Sequence, residues 1–216
     1  MYRWYIPSSG PPTKKKLTEL LFSWCLSGWD LRYNTPMKHI TFITGSQNKA
    51  DYLAKYLGFP VEHRKLDLDE LQSLDLKEIV THKVKQAYQQ VKAPVIVEDV
   101  SLEFTALGRL PGTFIKFFLN EMSFETLCSL LDGKGRKAVA RCVFGYYDGE
   151  NLELFEGSLN GEIPMKPEGE NGFGWDQVFI PEGYAVTRAS LNEEDDRKTY
   201  IQIKPFQQLK EFLENL

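Results

Sequence analysis

Pro94-Val95-Ile96-Val97-Glu98-Asp99 decides how this chain is read. A short, continuous apolar run is what a strand shows when both of its faces are covered, as in the middle of an α/β sheet. Two carboxylates follow it at once. Working upstream, His39-Ile40-Thr41-Phe42-Ile43-Thr44 reads as a first buried strand. Residues 48–57 then carry Ala50, Leu53, Ala54 and Leu57 at helical spacing, closed by Gly58. Asp75-Leu76-Lys77-Glu78 has the spacing of an N-cap with its returning Glu, and opens a helix whose core face is Ile79, Val84, Ala87, Tyr88 and Val91. Downstream, residues 139–147 and 152–158 flank Asp148-Gly149 as a hairpin, and residues 123–131 and 205–216 are amphipathic helices. The sum is an α/β protein with a mixed sheet.

The 216 residues can bury a sizeable core in one or two closely packed lobes. Their 26 basic and 30 acidic side chains leave a formal charge of −4, without the basic excess that a nucleic-acid surface needs. A single nucleotide asks only for a local cluster of Lys and backbone N–H groups. No apolar run approaches a membrane span, and the stretch after Lys14-Lys15-Lys16 is broken by Glu19 with no cleavage site behind it. A cytoplasmic protein without a membrane partner is expected. Cys25, Cys128 and Cys142, with no C-x-x-C pair, read as reduced core residues.

Residues 1–36 differ from the rest: a turn cluster, a Lys run, an amphipathic stretch, then Asn34-Thr35-Pro36. They read as an N-terminal extension to a working domain of residues 37–216. Two readings of the extension stay open. It is an added segment or a misplaced start, or Leu17, Leu20, Leu21 and Trp24 form a helix docked on the domain.

Chemistry could live in three places. The turn Thr44-Gly45-Ser46-Gln47-Asn48-Lys49 leads a strand into a helix, where exposed N–H groups and the positive end of the dipole suit a phosphate. A plain helix-capping loop is the alternative. Glu98 and Asp99 stand at the rim of the sheet, where α/β proteins place ligands. Adjacent strand residues point to opposite sides, so one acid faces the cleft and the other works from behind. Magnesium takes one or two carboxylates plus substrate phosphates, and Glu70 is a partner from another segment. Against this, Asp99 could begin a turn and Glu98 pair with a Lys. Gly172-Phe173-Gly174-Trp175-Asp176 could lay aromatic rings on a planar ligand while Asp176 reads its polar edge, or could plug the core.

In order, these segments resemble the HAM1 family of inosine/xanthosine triphosphate pyrophosphatases. The family's T-G-N with a following Lys is matched by Thr44-Gly45-Ser46 and Lys49, and its acidic strand motif by Glu98-Asp99-Val100. Gly108-Arg109-Leu110-Pro111-Gly112 with Lys116 after it, and Phe173-Gly174-Trp175-Asp176, match the two later motifs. The resemblance covers residues 39 to about 180 and the last helix more loosely. It implies an elongated mixed sheet flanked by helices, two lobes with a cleft between them, and a homodimer. It implies Mg²⁺, with Mn²⁺ as substitute, held by Glu70 and Asp99, and Asp99, Lys49 and Glu98 as the catalytic groups. Thr44, Gly45, Ser46, Gln47, Asn48, Lys49, Lys83, Val100 and Lys116 would contact the triphosphate and nucleotide. Phe173, Gly174, Trp175 and Asp176 would flank the base. The implied reaction turns a nucleoside triphosphate such as ITP, dITP or XTP into its monophosphate and pyrophosphate.

Three departures stand out. Ser46 replaces the family's Asn, and Val100 its hydroxyl residue, leaving a backbone N–H there. The family's S-H-R before the last helix, which reads the purine edge, is absent; the corresponding stretch is Asp195 to Gln202, with Arg197 and Lys198 as the nearest cations. An altered or broader base specificity, or a nucleotide binder without turnover, are the alternatives this leaves.

Overall fold

The structure, a computed structural model, describes residues 29–30, 35–36, 40–58 and 61–216. The chain divides into two units, Met1–His39 and Ile40–Leu216. The first holds an antiparallel ribbon of β1 (Trp29–Asp30) and β2 (Thr35–Pro36). The expected helix through Leu17, Leu20, Leu21 and Trp24, and Cys25, lie outside the described residues.

The second unit is built on a seven-stranded mixed sheet. Across it run β4 (Glu62–Arg64), β3 (Thr41–Ile43), β5 (Val95–Phe104), β7 (Lys137–Tyr147), β8 (Leu152–Glu162) and β9 (Ile180–Pro181), with β6 (Pro111–Gly112) also paired to β5. β3 is parallel to both neighbours and the other pairings are antiparallel. Helices α1 (Gln47–Leu57) and α2 (Leu76–Val91) connect the parallel strands, as βαβ geometry requires. After β6 come α3 (Ile115–Glu121) and α4 (Phe124–Ser129), and the chain closes with α5 (Glu193–Ile203) and α6 (Phe206–Glu214).

The two-residue period of β5 explains why both faces are covered. Val95 and Val97 pack with Val80, Val84 and Ala87 of α2. Ile96, Leu102 and Phe104 enter the opposite core with Leu53 and Leu57 of α1 and Leu209 of α6. Cys128 and Cys142 are buried free thiols, which burial pushes up to about 11 and about 12. Among the described residues, no helix is long and apolar enough to cross a membrane.

Local readings hold with two corrections. Gly58 closes α1 in the left-handed region at φ 78°, donating to the Ala54 carbonyl. Asp75 caps α2 by accepting from Lys77 and Glu78, but Glu78 does not return to it. Ser73 Oγ stands between them, accepting from Asp75 N at 3.0 Å and donating to Glu78 at 2.7 Å. The second correction concerns the decisive stretch: the strand does not end at Glu98-Asp99. β3 pairs only with Val95–Val97, while β5 continues to Phe104 along β7. β6 takes the same edge of β5 at Leu102 and Glu103. Among the described residues, no strand pairs with that edge from Glu98 to Ser101. The acids therefore lie at a gap in the sheet, where β5 changes neighbours.

One glycine fixes how the C-terminal helices reach this gap. A Cβ on Gly157 of β8 would lie 2.4 Å from the Ile203 carbonyl oxygen. Only glycine lets the last turn of α5 lie against the strand.

Candidate active site

On one side of the gap β3 stops at Ile43 and the chain turns into α1. Ser46 caps the helix, its Oγ accepting from Lys49 N at 3.4 Å. Thr44 Oγ1 accepts from Ser46 N at 3.2 Å. Both hydroxyl oxygens are thus occupied as acceptors while their protons remain to be donated, the polarity an anion wants. No acidic residue stands in the first turn of α1, and the space over Gly45 is open within 4 Å of a would-be Cβ. Gln47 is tied aside: its Nε2 donates to Asp51 at 2.9 Å and its Oε1 faces His63 Nδ1 at 3.2 Å. Asn48 lies in the same first turn of α1; its side chain is outside the described residues.

The two acids diverge as a strand's pleat requires. Glu98 enters the α1 side and is enclosed, its side chain 3% exposed. Its Oε1 meets Lys49 Nζ at 3.0 Å and Lys204 Nζ at 2.5 Å. Burial alone would raise the Glu98 carboxyl; the Lys204 and Lys49 charges outweigh it and hold it at about 2. Asp99 enters the α2 side and stays half-buried. Its Oδ2 accepts from Lys83 Nζ at 2.7 Å, and its Oδ1 takes the Val100 N–H at 2.8 Å. The backbone donor that the sequence leaves at Val100 is therefore already engaged within the strand. Lys83 also lies 3.7 Å from the exposed Glu70.

Lys83 Nζ thus sits between the two carboxylates proposed as metal ligands, a cation where a cation is wanted. Among the described residues, no group of three or more His, Cys, Asp or Glu converges. A two-carboxylate set suits an ion that draws its remaining ligands from phosphates and water, and fits Mg²⁺ better than zinc. On the far side of the gap, Lys116 extends exposed from the first turn of α3, with no ion pair among the described residues.

The aromatic loop is built differently. Phe173 is 47% exposed, Gly174 is open and Trp175 packs on the main core. Asp176 is buried, with both oxygens taken: Oδ2 accepts from Phe173 N at 2.9 Å and Oδ1 from Arg188 Nη1 at 2.7 Å. Burial pushes the Asp176 carboxyl up, and the Arg188 guanidinium pulls it back. Arg188 fills its other arms with Asp196 at 2.5 Å and Thr199 Oγ1 at 3.1 Å, both on α5. The cation at this loop is therefore neither Arg197 nor Lys198. Lys198 pairs with Glu194 and Asp195, and Arg197 lies beside Tyr56.

Tyr200 of α5 joins the two ends. Its ring lies 5.3 Å from that of Tyr52, which is three residues beyond Lys49 on α1, and 6.5 Å edge-on from Phe173. Tyr52, Arg188, Tyr200 and Lys204 were not read from the sequence. Only Tyr52 left a signal, standing one helical turn from Lys49.

The family model described as Ham1 family matches residues 40–212. An inosine triphosphate pyrophosphatase of Schizosaccharomyces pombe is 36% identical over 186 residues, covering 84% of this chain and 98% of its own. One from Yarrowia lipolytica is 38% identical over 180 residues, 81% of this chain and 95% of its own. Inosine triphosphate pyrophosphatase 2 of Trypanosoma cruzi is 40% identical over 176 residues, 79% of this chain and 90% of its own. Among solved structures, the Staphylococcus aureus Ham1 protein superposes with a TM-score of 0.70 at 26% identity, over 82% of this chain and 99% of its own. A HAM1 protein from Coxiella burnetii shares the fold at a TM-score of 0.74 and 21% identity, over 83% of this chain and all of its own.

Proposed function

The chain belongs to the Ham1 family, and on that premise we propose that it hydrolyses nucleoside triphosphates to monophosphate and pyrophosphate, acting on non-canonical purine nucleotides such as ITP, dITP or XTP. The observation that carries the reading is Asp99, half-buried at the gap in the sheet with Lys83 against it and Glu70 on the other side of that ammonium. The turn from Thr44 to Lys49 binds the triphosphate through hydroxyls, backbone N–H groups and the Lys49 ammonium, with Lys83 and Lys116 on the nucleotide. Glu70 and Asp99 are the ligands for Mg²⁺, for which Mn²⁺ substitutes. Bound there, the ion would neutralise phosphate charge as pyrophosphate leaves. Asp99 orients a water and takes its proton while the water oxygen bonds to the α-phosphorus; the bond to the bridging oxygen breaks and pyrophosphate departs. Phe173 and Trp175 flank the base. We further propose a cytoplasmic homodimer whose catalytic domain is residues 37–216.

Broader base specificity is the second reading, favoured by one observation: the Asp176 carboxylate, suited to reading a base edge, is closed off by Arg188 and Phe173 N. Pyrophosphate release over a panel of nucleoside triphosphates, with Mg²⁺ and with EDTA, tests both. The first reading expects ITP and XTP well ahead of ATP and GTP, and silence in EDTA. Equal rates on all would favour the second, and no release from any would end the enzymatic reading.

A further inference from the structure

Glu98 has two cationic partners where one would balance it. Lys49 and Lys204 both place their ammonium groups on the same carboxylate oxygen, at 3.0 and 2.5 Å. They differ in where else they can go. The Lys49 side chain is 25% exposed and stands in the first turn of α1, beside the open space over Gly45. The Lys204 side chain is 6% exposed and is enclosed on every side the structure describes. Its backbone caps α5 by donating to the Tyr200 carbonyl at 2.9 Å, and its ammonium lies 5.8 Å from the Tyr200 ring centre. The contact of Ile203 with Gly157 pins that end of the helix to β8. Lys204 therefore cannot leave Glu98, and Lys49 can.

A buried carboxylate cannot be abandoned by its only partner without a heavy desolvation penalty. With Glu98 alone for company, Lys49 would be held on it and the pair would present no charge to a ligand. The second, immovable ammonium changes this. Glu98 stays neutralised when Lys49 swings away, and the trio carries one net positive charge that only Lys49 can present. We propose that Lys204 is a positioning residue for the phosphate end: it holds Glu98 so that Lys49 is released to the triphosphate. Lys204 touches no substrate in this arrangement. The inference rests on the pyrophosphatase reading above.

The test is steady-state pyrophosphate release from ITP by the wild type, Lys204→Met and Lys204→Met/Glu98→Gln, with thermal melting of each protein. Lys204→Met is expected to raise KM about tenfold or more while kcat changes less than about threefold, the signature of lost ground-state binding. Adding Glu98→Gln should bring KM back to within about threefold of the wild type, because Lys49 is again unclaimed. A Lys204 that only fills the core would not give this split, and neutralising Glu98 would not rescue it. An unchanged KM in Lys204→Met, or a raised KM that persists in the double variant, overturns the proposal. Should Lys204→Met not fold, the charge-balanced double variant decides alone, since a KM about tenfold above wild type there contradicts it. Should the wild type release no pyrophosphate from any nucleotide, the pyrophosphatase reading fails instead. Calorimetric titration of the same three proteins with inorganic triphosphate then tests Lys204 directly, expecting weak binding only in Lys204→Met.

Discussion

The two ends of the proposed site are made of the same materials and wired in opposite ways. At the phosphate end, charges face outward or can be turned outward: Lys49 shares Glu98 with Lys204, Lys83 rests between Asp99 and the exposed Glu70, and Lys116 stands free of ion pairs among the described residues. At the base end, charges are turned inward. Arg188 gives every arm to Asp176, Asp196 and Thr199, and Asp176 closes its own loop through Phe173 N. The helices repeat the contrast, since α1 has no acid in its first turn whereas α5 has four. A positive dipole end free of carboxylates invites a phosphate; one covered by carboxylates repels it. The lesson is that chemistry and recognition are separable here. One end keeps cations that can turn outward, and the other locks its charges and rings against one another.

The largest effect should come from the outward end. Asp99→Asn keeps the shape but removes the proposed metal ligand and proton acceptor, and should lower kcat by about 10²–10⁴ on every nucleotide alike. Circular dichroism should show the fold intact; retention of activity within a few-fold would show that Asp99 is not the central carboxylate. At the inward end, Arg188→Met leaves the buried Asp176 without its partner and should cost about 3–5 kcal/mol in chemical denaturation. A loss under about 1 kcal/mol would mean the arms of Arg188 are held no better than a surface pair.

Much of this contrast was legible in the residues, and the illegible part has a common cause. The apolar run at 94–97, the stripe of α1 and its Gly58 closure, and the hairpin around Gly149 are local patterns, and the chain forms them. The phosphate turn and the acid pair were readable because their signal lies in adjacent residues. What was lost is what long-range packing decides. Lys204 meets Glu98 across 106 positions, and no spacing rule announces a buried lysine. Arg188 lies upstream of the helix where cations were sought, and α5 hides its short apolar face, Tyr200 and Ile203, behind an acidic run. Glu98-Asp99 was read as a strand end because charge usually stops a buried strand. Here β5 runs on, because β7 continues beside it and Lys49, Lys204 and Lys83 neutralise the intrusion.

Smaller effects sharpen the comparison further. The Glu98 carboxyl, held at about 2 against an ordinary 4.5, stabilises the folded state fully above about pH 4.5 and loses that contribution as pH falls towards 2. Acid unfolding should therefore show a component in that window, and Lys204→Met should move it to higher pH. A midpoint unmoved by the substitution would deny the pair its weight. The smallest change is expected from starting the chain at Met37, which should leave kcat/KM for ITP within about threefold if residues 1–36 serve neither end. A loss of about tenfold or more would make the extension part of the working domain.

The proposed water attack at the α-phosphorus has a direct test. ITP is hydrolysed in water enriched in heavy oxygen with Mg²⁺ present, and the products are weighed by mass spectrometry. Attack guided by Asp99 predicts one heavy oxygen in inosine monophosphate and none in pyrophosphate. Heavy oxygen in pyrophosphate, or products of inosine diphosphate and orthophosphate, would contradict it.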